Sequence, residues 1–253
     1  MNAFFEKINV KNILKILLNP SLVFIRTKYI LKRFFYDVIF LFKKKKYKYK
    51  IIFIAGMPMS ATTKIKNMCG RINGYFTRNT PIPENIALNQ DITDSAFINC
   101  PSWSYTLFKT HLNPWEKNLL IIKRNNVKKV IVSYRDLRDV VVARYYRLLS
   151  FPKKINEPHY VEEKKQYKNI SKTEAINDCI EKISNEYVNW IYGWLDVSAK
   201  QKDFILLCKF ENLIKDPTTE FKKILDFYEI DLADSTINSI VKATKGKKNM
   251  KKN

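Results

Sequence analysis

Apolar residues follow two different periods along the chain, and their alternation predicts the fold. Four short stretches are apolar and rich in β-branched or aromatic residues, which predicts buried strands. They are residues 49–55, 104–111, 127–135 and 204–210. Elsewhere apolar residues recur every three or four positions, which predicts helices. These segments are residues 60–75, 136–149, 173–200, 216–230 and 231–242. The alternation predicts an α/β fold, a parallel β-sheet flanked by helices on both faces. The polar stretches 78–91 and 151–172 are predicted to be loops, the second a mobile surface excursion.

The N-terminal part of the chain differs in pattern from the rest. Residues 1–48 mix apolar and basic side chains and contain no run of about 20 apolar residues, so no spanning helix is predicted. Phe34 and Phe35 lie between basic residues, and Lys43–Lys46 form a cationic block. This basic amphipathic helical segment either lies on an anionic membrane surface or packs on the main domain as a pair of helices. We predict two domains, 1–48 and 49–253.

Composition adds a strong positive charge to this picture. The 253 residues carry a formal net charge of +22, which attracts nucleotides, acidic glycans, anionic lipid or nucleic acid. No nucleic-acid recognition motif accompanies the charge, and biased codon usage also explains part of the lysine excess. The four cysteines form no CxxC pair, which predicts free thiols in a reducing compartment, and two histidines are too few for a typical His-based metal site.

The first predicted strand runs into "GMPMSATT", residues 56–63, at the start of a predicted helix. A Walker loop reads G-x-x-x-x-G-K-[ST], but Ala61 and Thr62 occupy the second glycine and lysine positions, so an ATPase or kinase loop is disfavoured. Backbone N–H groups at a helix N-terminus still bind anions, and the hydroxyls of Ser60, Thr62 and Thr63 add donors. The alternative is a plain turn with Ser60 as N-cap.

Two further stretches carry candidate chemistry. In "KTHL", His111 follows a strand two residues after Lys109 and would serve as a base beside a cation; alternatively, it is an ordinary strand end. In "VIVSYRDLRDVVVARYY", Arg135 and Arg138 would clamp a phosphate, or they form ion pairs at a helix start.

These stretches, followed by "FENLIKDP", resemble the marks of the PAPS-dependent sulfotransferases in order and spacing. PAPS is 3′-phosphoadenosine-5′-phosphosulfate, and the resemblance implies a P-loop NTPase-like fold that transfers its sulfuryl group without a metal. It further implies that His111 is the general base, that Lys109 approaches the transferring group and that Arg135 binds the 3′-phosphate. The implied phosphosulfate contacts are Gly56, Pro58, Met59, Ser60, Ala61, Thr62 and Thr63.

The sequence departs from the family pattern at several of these positions. Met59 replaces a lysine or arginine, Ala61 replaces a glycine, and Ala143 replaces a serine that helps bind the 3′-phosphate. Residues 245–248 match the family's C-terminal R-K-G-x-x-G loop poorly.

Two functions therefore stay open. The first is an active PAPS-dependent sulfotransferase at the cytoplasmic face of a membrane, acting on a hydroxyl or amine of a glycan, lipid or small molecule. The second is an impaired family member that binds an anion, a membrane or a partner protein.

Overall fold

The computed structural model describes residues 46–79, 90–97, 100, 104–150 and 158–244, together with scattered positions between 27 and 40. Residues 245–248 lie outside the described part of the chain. Within the described part, five parallel strands form one sheet in the order β2-β3-β1-β4-β5. They are β1 (Ile51–Gly56), β2 (Tyr75–Asn79), β3 (Tyr105–Thr110), β4 (Val130–Tyr134) and β5 (Ile205–Lys209).

Helices connect these strands. They are α1 (Thr62–Cys69), α2 (Glu116–Arg124), α3 (Leu137–Ser150), α4 (Pro158–Asn169), α5 (Lys172–Lys200), α6 (Phe210–Lys215), α7 (Pro217–Phe227) and α8 (Asp234–Thr244). Two of them begin at strong sequence signals. A capping box between Ser171 and Glu174 starts α5, and Asp216 accepts two backbone N–H bonds at the start of α7.

The central strand β1 is buried along its whole length, and its side chains alternate between two cores. Phe53 and its odd-numbered neighbours pack with Trp190 and Trp194 of α5. Ile54 and its even-numbered neighbour pack with residues of α1, α7 and α8. Helices therefore cover both faces of the sheet, and the predicted α/β architecture is confirmed.

The predicted helix over 60–75 was too long, because it ends at Cys69 and the chain then forms the edge strand β2. Gly70 follows the helix, and Gly74 has φ 104°, a conformation that glycine adopts without strain. Edge strands tolerate polar residues. Because Thr77, Arg78 and Asn79 are polar, this strand has no apolar pattern from which it could be predicted.

The predicted excursion over 151–172 was also partly wrong, since α4 occupies 158–169. Tyr167 is the one buried side chain among the described side chains of that helix, which explains the missing helical period. The short helices α2 and α6 were not predicted.

Some N-terminal residues pack directly on the sheet. The Arg33 guanidinium is buried, donates to the hydroxyls of Ser104 and Thr106, and lies 3.5 Å from the Asp37 carboxylate. The Phe40 ring meets the Tyr105 ring edge-on at 5.2 Å. These contacts support the packing hypothesis for this side of the segment. Among the described helices, none combines the length and the apolar character needed to cross a bilayer.

Candidate active site

The sheet order places a ligand crevice beside β1. The chain fills one side of β1 with β3 and β2, and then crosses to β4 and β5 on the other side. Open parallel sheets bind ligands at the carboxyl ends of the strands where the order switches in this way. A cavity of about 420 Å³ opens there, a volume typical of small-molecule sites. Its lining residues are Pro58, Met59, Ala61, Thr62, Thr63, Lys109, His111, Arg144, Arg147, Leu148, Tyr187 and Phe210.

The 56–63 loop turns tightly where it leaves β1, and its backbone is sterically constrained. A Cβ on Gly56 would lie 1.7 Å from Cγ2 of Thr62, so only glycine fits at this position. Met59 and Ala61 have φ 66° and 61°, the left-handed conformation that costs a residue with a Cβ about 1–2 kcal/mol. The position where the family pattern has glycine therefore does require a positive φ, and Ala61 occupies it under strain.

Ser60 is turned away from the cavity and fixes the loop instead. Its buried Oγ lies 2.6 Å from the Met57 carbonyl and 2.9 Å from the Ser133 carbonyl. The Ser133 hydroxyl donates in return to the Ser60 carbonyl. The interpretation of Ser60 as N-cap is wrong, because Ala61 is the N-cap residue of α1 and provides no side-chain cap. The Thr62 and Thr63 side chains do line the cavity.

His111 and Lys109 form a hydrogen-bonded pair at the end of β3. Nδ1 of His111 contacts the Gly56 carbonyl oxygen, which can only accept a hydrogen bond, so Nδ1 carries the proton. Nε2 is then the unprotonated nitrogen, and it lies 3.1 Å from Nζ of Lys109. Burial, followed by the charge of Lys109, lowers the pKa of His111 to about 4. The imidazole is therefore neutral near pH 7 and presents an unprotonated Nε2.

Two tryptophans of α5 hold the segment that follows His111. The indole N–H groups of Trp190 and Trp194 both donate to the Leu112 carbonyl, at 2.9 and 3.1 Å. Both rings are buried in the core. The base is thus fixed on one side by β1 and on the other by the longest described helix.

The cavity is strongly cationic. Lys109, Arg144 and Arg147 line it, and no aspartate or glutamate is among the lining residues of this part of the structure. The Arg144 guanidinium lies 2.9 Å from the Glu163 carboxylate, which offsets its charge. Burial lowers the pKa of Lys109, and the charges of Lys66 and Arg147 lower it further. Such a site favours an anionic ligand, because the ligand relieves the repulsion between these cations.

Arg135 and Arg138, predicted together as a clamp, occupy different environments. Arg138 is exposed and forms an ion pair with Asp136 at 2.6 Å, and the Arg135 guanidinium lies 3.6 Å from the Asp139 carboxylate, as in the alternative of an ion-paired helix start. The Arg135 guanidinium stacks 4.0 Å from the Phe210 ring centroid and reaches the Met59 carbonyl at 3.5 Å. Its Nε is buried without a hydrogen-bond partner.

The structure adds lining residues that the sequence motifs did not identify, and it leaves some predicted ones outside the lining. Arg147, Leu148, Tyr187 and Phe210 line the cavity, whereas Gly56, Ser60, Arg135 and Ala143 do not. Arg147 and Leu148 follow Arg144 at spacings of three and four residues on the same helix. If Arg144 were known to line the cavity, helical periodicity would have predicted that the other two also line it. Within the described residues, no three His, Cys, Asp or Glu side chains form a group able to hold a metal ion.

Comparison with known proteins finds similarity to sulfotransferases. A flavonol 3-sulfotransferase from Flaveria bidentis is 27% identical over 189 residues, which cover 70% of this chain and 55% of that protein. The chain thus spans about half the length of this curated relative. The crystal structure of mouse sulfotransferase SULT7A1 complexed with PAP superimposes with a TM-score of 0.57 at 21% identity, over 79% of this chain and 64% of that chain. A sulfotransferase from Alicyclobacillus acidocaldarius gives a TM-score of 0.46 at 11% identity, over 73% and 82% of the two chains.

The mouse structure supports the fold, and the family assignment rests on a more extensive match. The model of the sulfotransferase-domain family matches residues 51–253, which include every strand of the described sheet and the whole cavity. The chain therefore belongs to the sulfotransferase-domain family.

Proposed function

We propose that this protein transfers the sulfuryl group of PAPS to a hydroxyl or amine of an acceptor molecule, with His111 as general base. The observation that carries this proposal is the neutral imidazole of His111, held by Gly56 with Nε2 next to Lys109 at a cationic cavity. An unprotonated Nε2 can take a proton from an acceptor, and the adjacent Lys109 ammonium can offset the charge that develops nearby.

The residues present fit an anionic donor such as PAPS. The cavity has three cationic lining side chains, and α1 begins at the 56–63 loop, where N–H groups lack acceptors within the helix. Arg135 is partly buried, and its buried, unsatisfied Nε belongs to a guanidinium that reaches the Met59 carbonyl of this loop. The residues proposed to hold the donor are Gly56, Pro58, Met59, Ser60, Ala61, Thr62, Thr63, Arg135 and Ala143. Ser60 would act by holding the loop in place, because its hydroxyl faces inward.

PAPS supplies the sulfuryl group, and PAP is the leaving group. The acceptor O–H bond breaks as the new O–S bond forms, and the bond from sulfur to the donor phosphate oxygen breaks with its electron pair leaving on PAP. His111 Nε2 takes the acceptor proton. For this, Lys109 must first leave Nε2, and its ammonium can then offset charge on the transferring group.

Met59 is the weak point of this proposal. The side chain lines the cavity where the family pattern has a cation, and a thioether can neither donate nor carry charge. Loss of such a donor costs roughly 2–4 kcal/mol of transition-state stabilisation. Arg147 is our candidate to offset part of that loss, because it lines the same cavity and lies close enough to Lys109 and His111 to lower the pKa of both.

A second candidate function follows from the same residue. A family member that keeps the anion site but lacks the leaving-group cation would bind PAP or another anion without turnover. Under that function the protein is a binding module, and its partners are an anionic ligand and a membrane or protein surface.

Calorimetric titration with PAP, with ATP and ADP as controls, tests the donor site. Selective binding of PAP supports a site for this donor, and a folded protein that binds none of the three would refute the sulfotransferase function and leave the fold with another use. Transfer from PAPS to a panel of hydroxyl acceptors then separates the two functions. His111→Ala should abolish transfer and leave PAP affinity nearly unchanged, whereas the matched variant His159→Ala should retain both. Equal loss of transfer and affinity would instead make His111 a structural residue.

A further inference from the structure

The helical segment between residues 31 and 40 presents its side chains in an unusual order. Arg33 and Asp37, which are charged, face the sheet, and Arg33 is only 7% exposed. Leu31, Phe34 and Phe35 face outward and are 51%, 61% and 61% exposed. A helix on a globular domain normally turns its apolar stripe to the core and its charges to water. In this segment Phe40 follows that order and packs on Tyr105, but Arg33 and Asp37 also face the sheet, while Leu31, Phe34 and Phe35 do not.

The three outward side chains form one stripe. Their spacing of three and four residues places them on one helical face, and the Phe34 and Phe35 rings meet edge-on at 6.0 Å. Single exposed apolar residues need no explanation, but a contiguous patch of this kind marks an interaction surface. The buried Arg33 contacts fix the helix on the domain, so the stripe is held outward by the fold.

Charge identifies the partner. Arg26, Lys28 and Lys32 precede or interrupt the stripe, Lys43–Lys46 follow it, and Asp37 is the single acid between residues 26 and 50. That acid already pairs with Arg33. A second copy of the chain would bring the same positive charge, which opposes self-association. An anionic lipid surface accepts both the apolar stripe and its basic flanks.

We propose that Leu31, Phe34 and Phe35 dock this protein on the surface of an anionic bilayer. The aromatic rings insert at the level of the headgroups, and the positive charge of the flanking sequence attracts the acidic lipids. The docking surface lies outside the cavity and does not depend on the proposed sulfuryl transfer.

Sedimentation of the full chain with vesicles tests this proposal. We expect binding to vesicles of phosphatidylcholine mixed with phosphatidylserine and little binding to phosphatidylcholine alone. The double variant Phe34→Ser/Phe35→Ser should bind the mixed vesicles about tenfold more weakly or worse. Trp115→Ser/Tyr192→Ser is the matched control, because these aromatic side chains are 59% and 69% exposed elsewhere on the surface, and it should bind as the natural protein does.

The basic flank has a separate signature. Replacing Lys43–Lys46 by glutamine should weaken binding about a hundredfold at low salt, and added salt should shrink that difference. The Phe34→Ser/Phe35→Ser defect should persist at high salt, because apolar insertion is not screened.

Three results would overturn the proposal. The first is no binding to the mixed vesicles, and the second is equal loss in the double variant and in its aromatic control. The third is a lower melting temperature for Phe34→Ser/Phe35→Ser, or a dimer that this variant dissociates without lipid, since either result assigns the stripe to a protein contact.

Discussion

The sharpest test of the site concerns the proton on His111. The imidazole is largely buried, its Nδ1 donates to Gly56, and Lys109 lies next to Nε2. These surroundings lower its pKa from the ordinary value of 6.5 to about 4. Between these two values the unfolded chain binds a proton that the folded chain does not, so acid favours unfolding.

The size of the effect follows from the pKa. At about 1.4 kcal/mol for each pH unit, the neutral His111 contributes up to about 3 kcal/mol of stability at neutral pH. That contribution is complete above pH 6.5, falls as the pH drops toward 4, and is absent below it. Partial exposure of the ring makes this figure an upper bound.

Two measurements check this reasoning. The chain has two histidines, so proton NMR of the ring signals, assigned with His159→Gln, should show His111 titrating far below 6.5. Urea unfolding from pH 7 to pH 4 should show the natural protein losing more stability than His111→Asn, because asparagine can donate to Gly56 but does not titrate. A His111 signal that titrates near 6.5, or parallel stability curves for the two proteins, would refute the assignment of a buried neutral base.

Three further predictions concern the 56–63 loop. Ala61→Gly should raise the free energy of unfolding by about 0.5–1 kcal/mol in urea, because relief of left-handed strain exceeds the added freedom of the unfolded chain; a loss of stability would contradict it. Met59→Lys should raise the rate of sulfuryl transfer tenfold or more, whereas an unchanged rate would show that another cation already serves the leaving group. Gly56→Ala should weaken PAP binding and cost about 1–3 kcal/mol of stability, because its Cβ meets the Thr62 methyl. Thr62→Ser removes that methyl, so adding it should restore much of the loss, and a double variant no better than Gly56→Ala would refute the clash.

The fold was predictable where one local pattern had one meaning. The buried strand at 51–56 and the long helix at 172–200 each follow a clear period, so their type and position could be predicted from the sequence. The edge strand at 75–79 could not, because polar residues are acceptable on an edge and a helical pattern preceded it. The helix at 158–169 could not be predicted either, because it buries so few apolar side chains that its sequence shows no helical repeat of apolar residues.

The candidate site divides in the same way. Gly56, Lys109 and His111 stand at strand ends, and parallel strands bring such positions together. Arg147 and Tyr187 approach the cavity through the packing of α3 against α5, which no short motif encodes. The inward direction of the Ser60 hydroxyl also could not be predicted from a short motif, because it depends on two carbonyls, one of them 73 residues away in sequence.

The hydrogen bond from His111 to Gly56 has a consequence for protein engineering. The first residue of the 56–63 loop also fixes which imidazole nitrogen carries the proton, so the loop that we propose holds the donor also positions the proposed base. A chimera that imported this whole loop from a relative would carry over a new environment for the base together with a new nucleotide preference. Attempts to change the donor should therefore graft the segment beyond Gly56 and keep the end of β1 native.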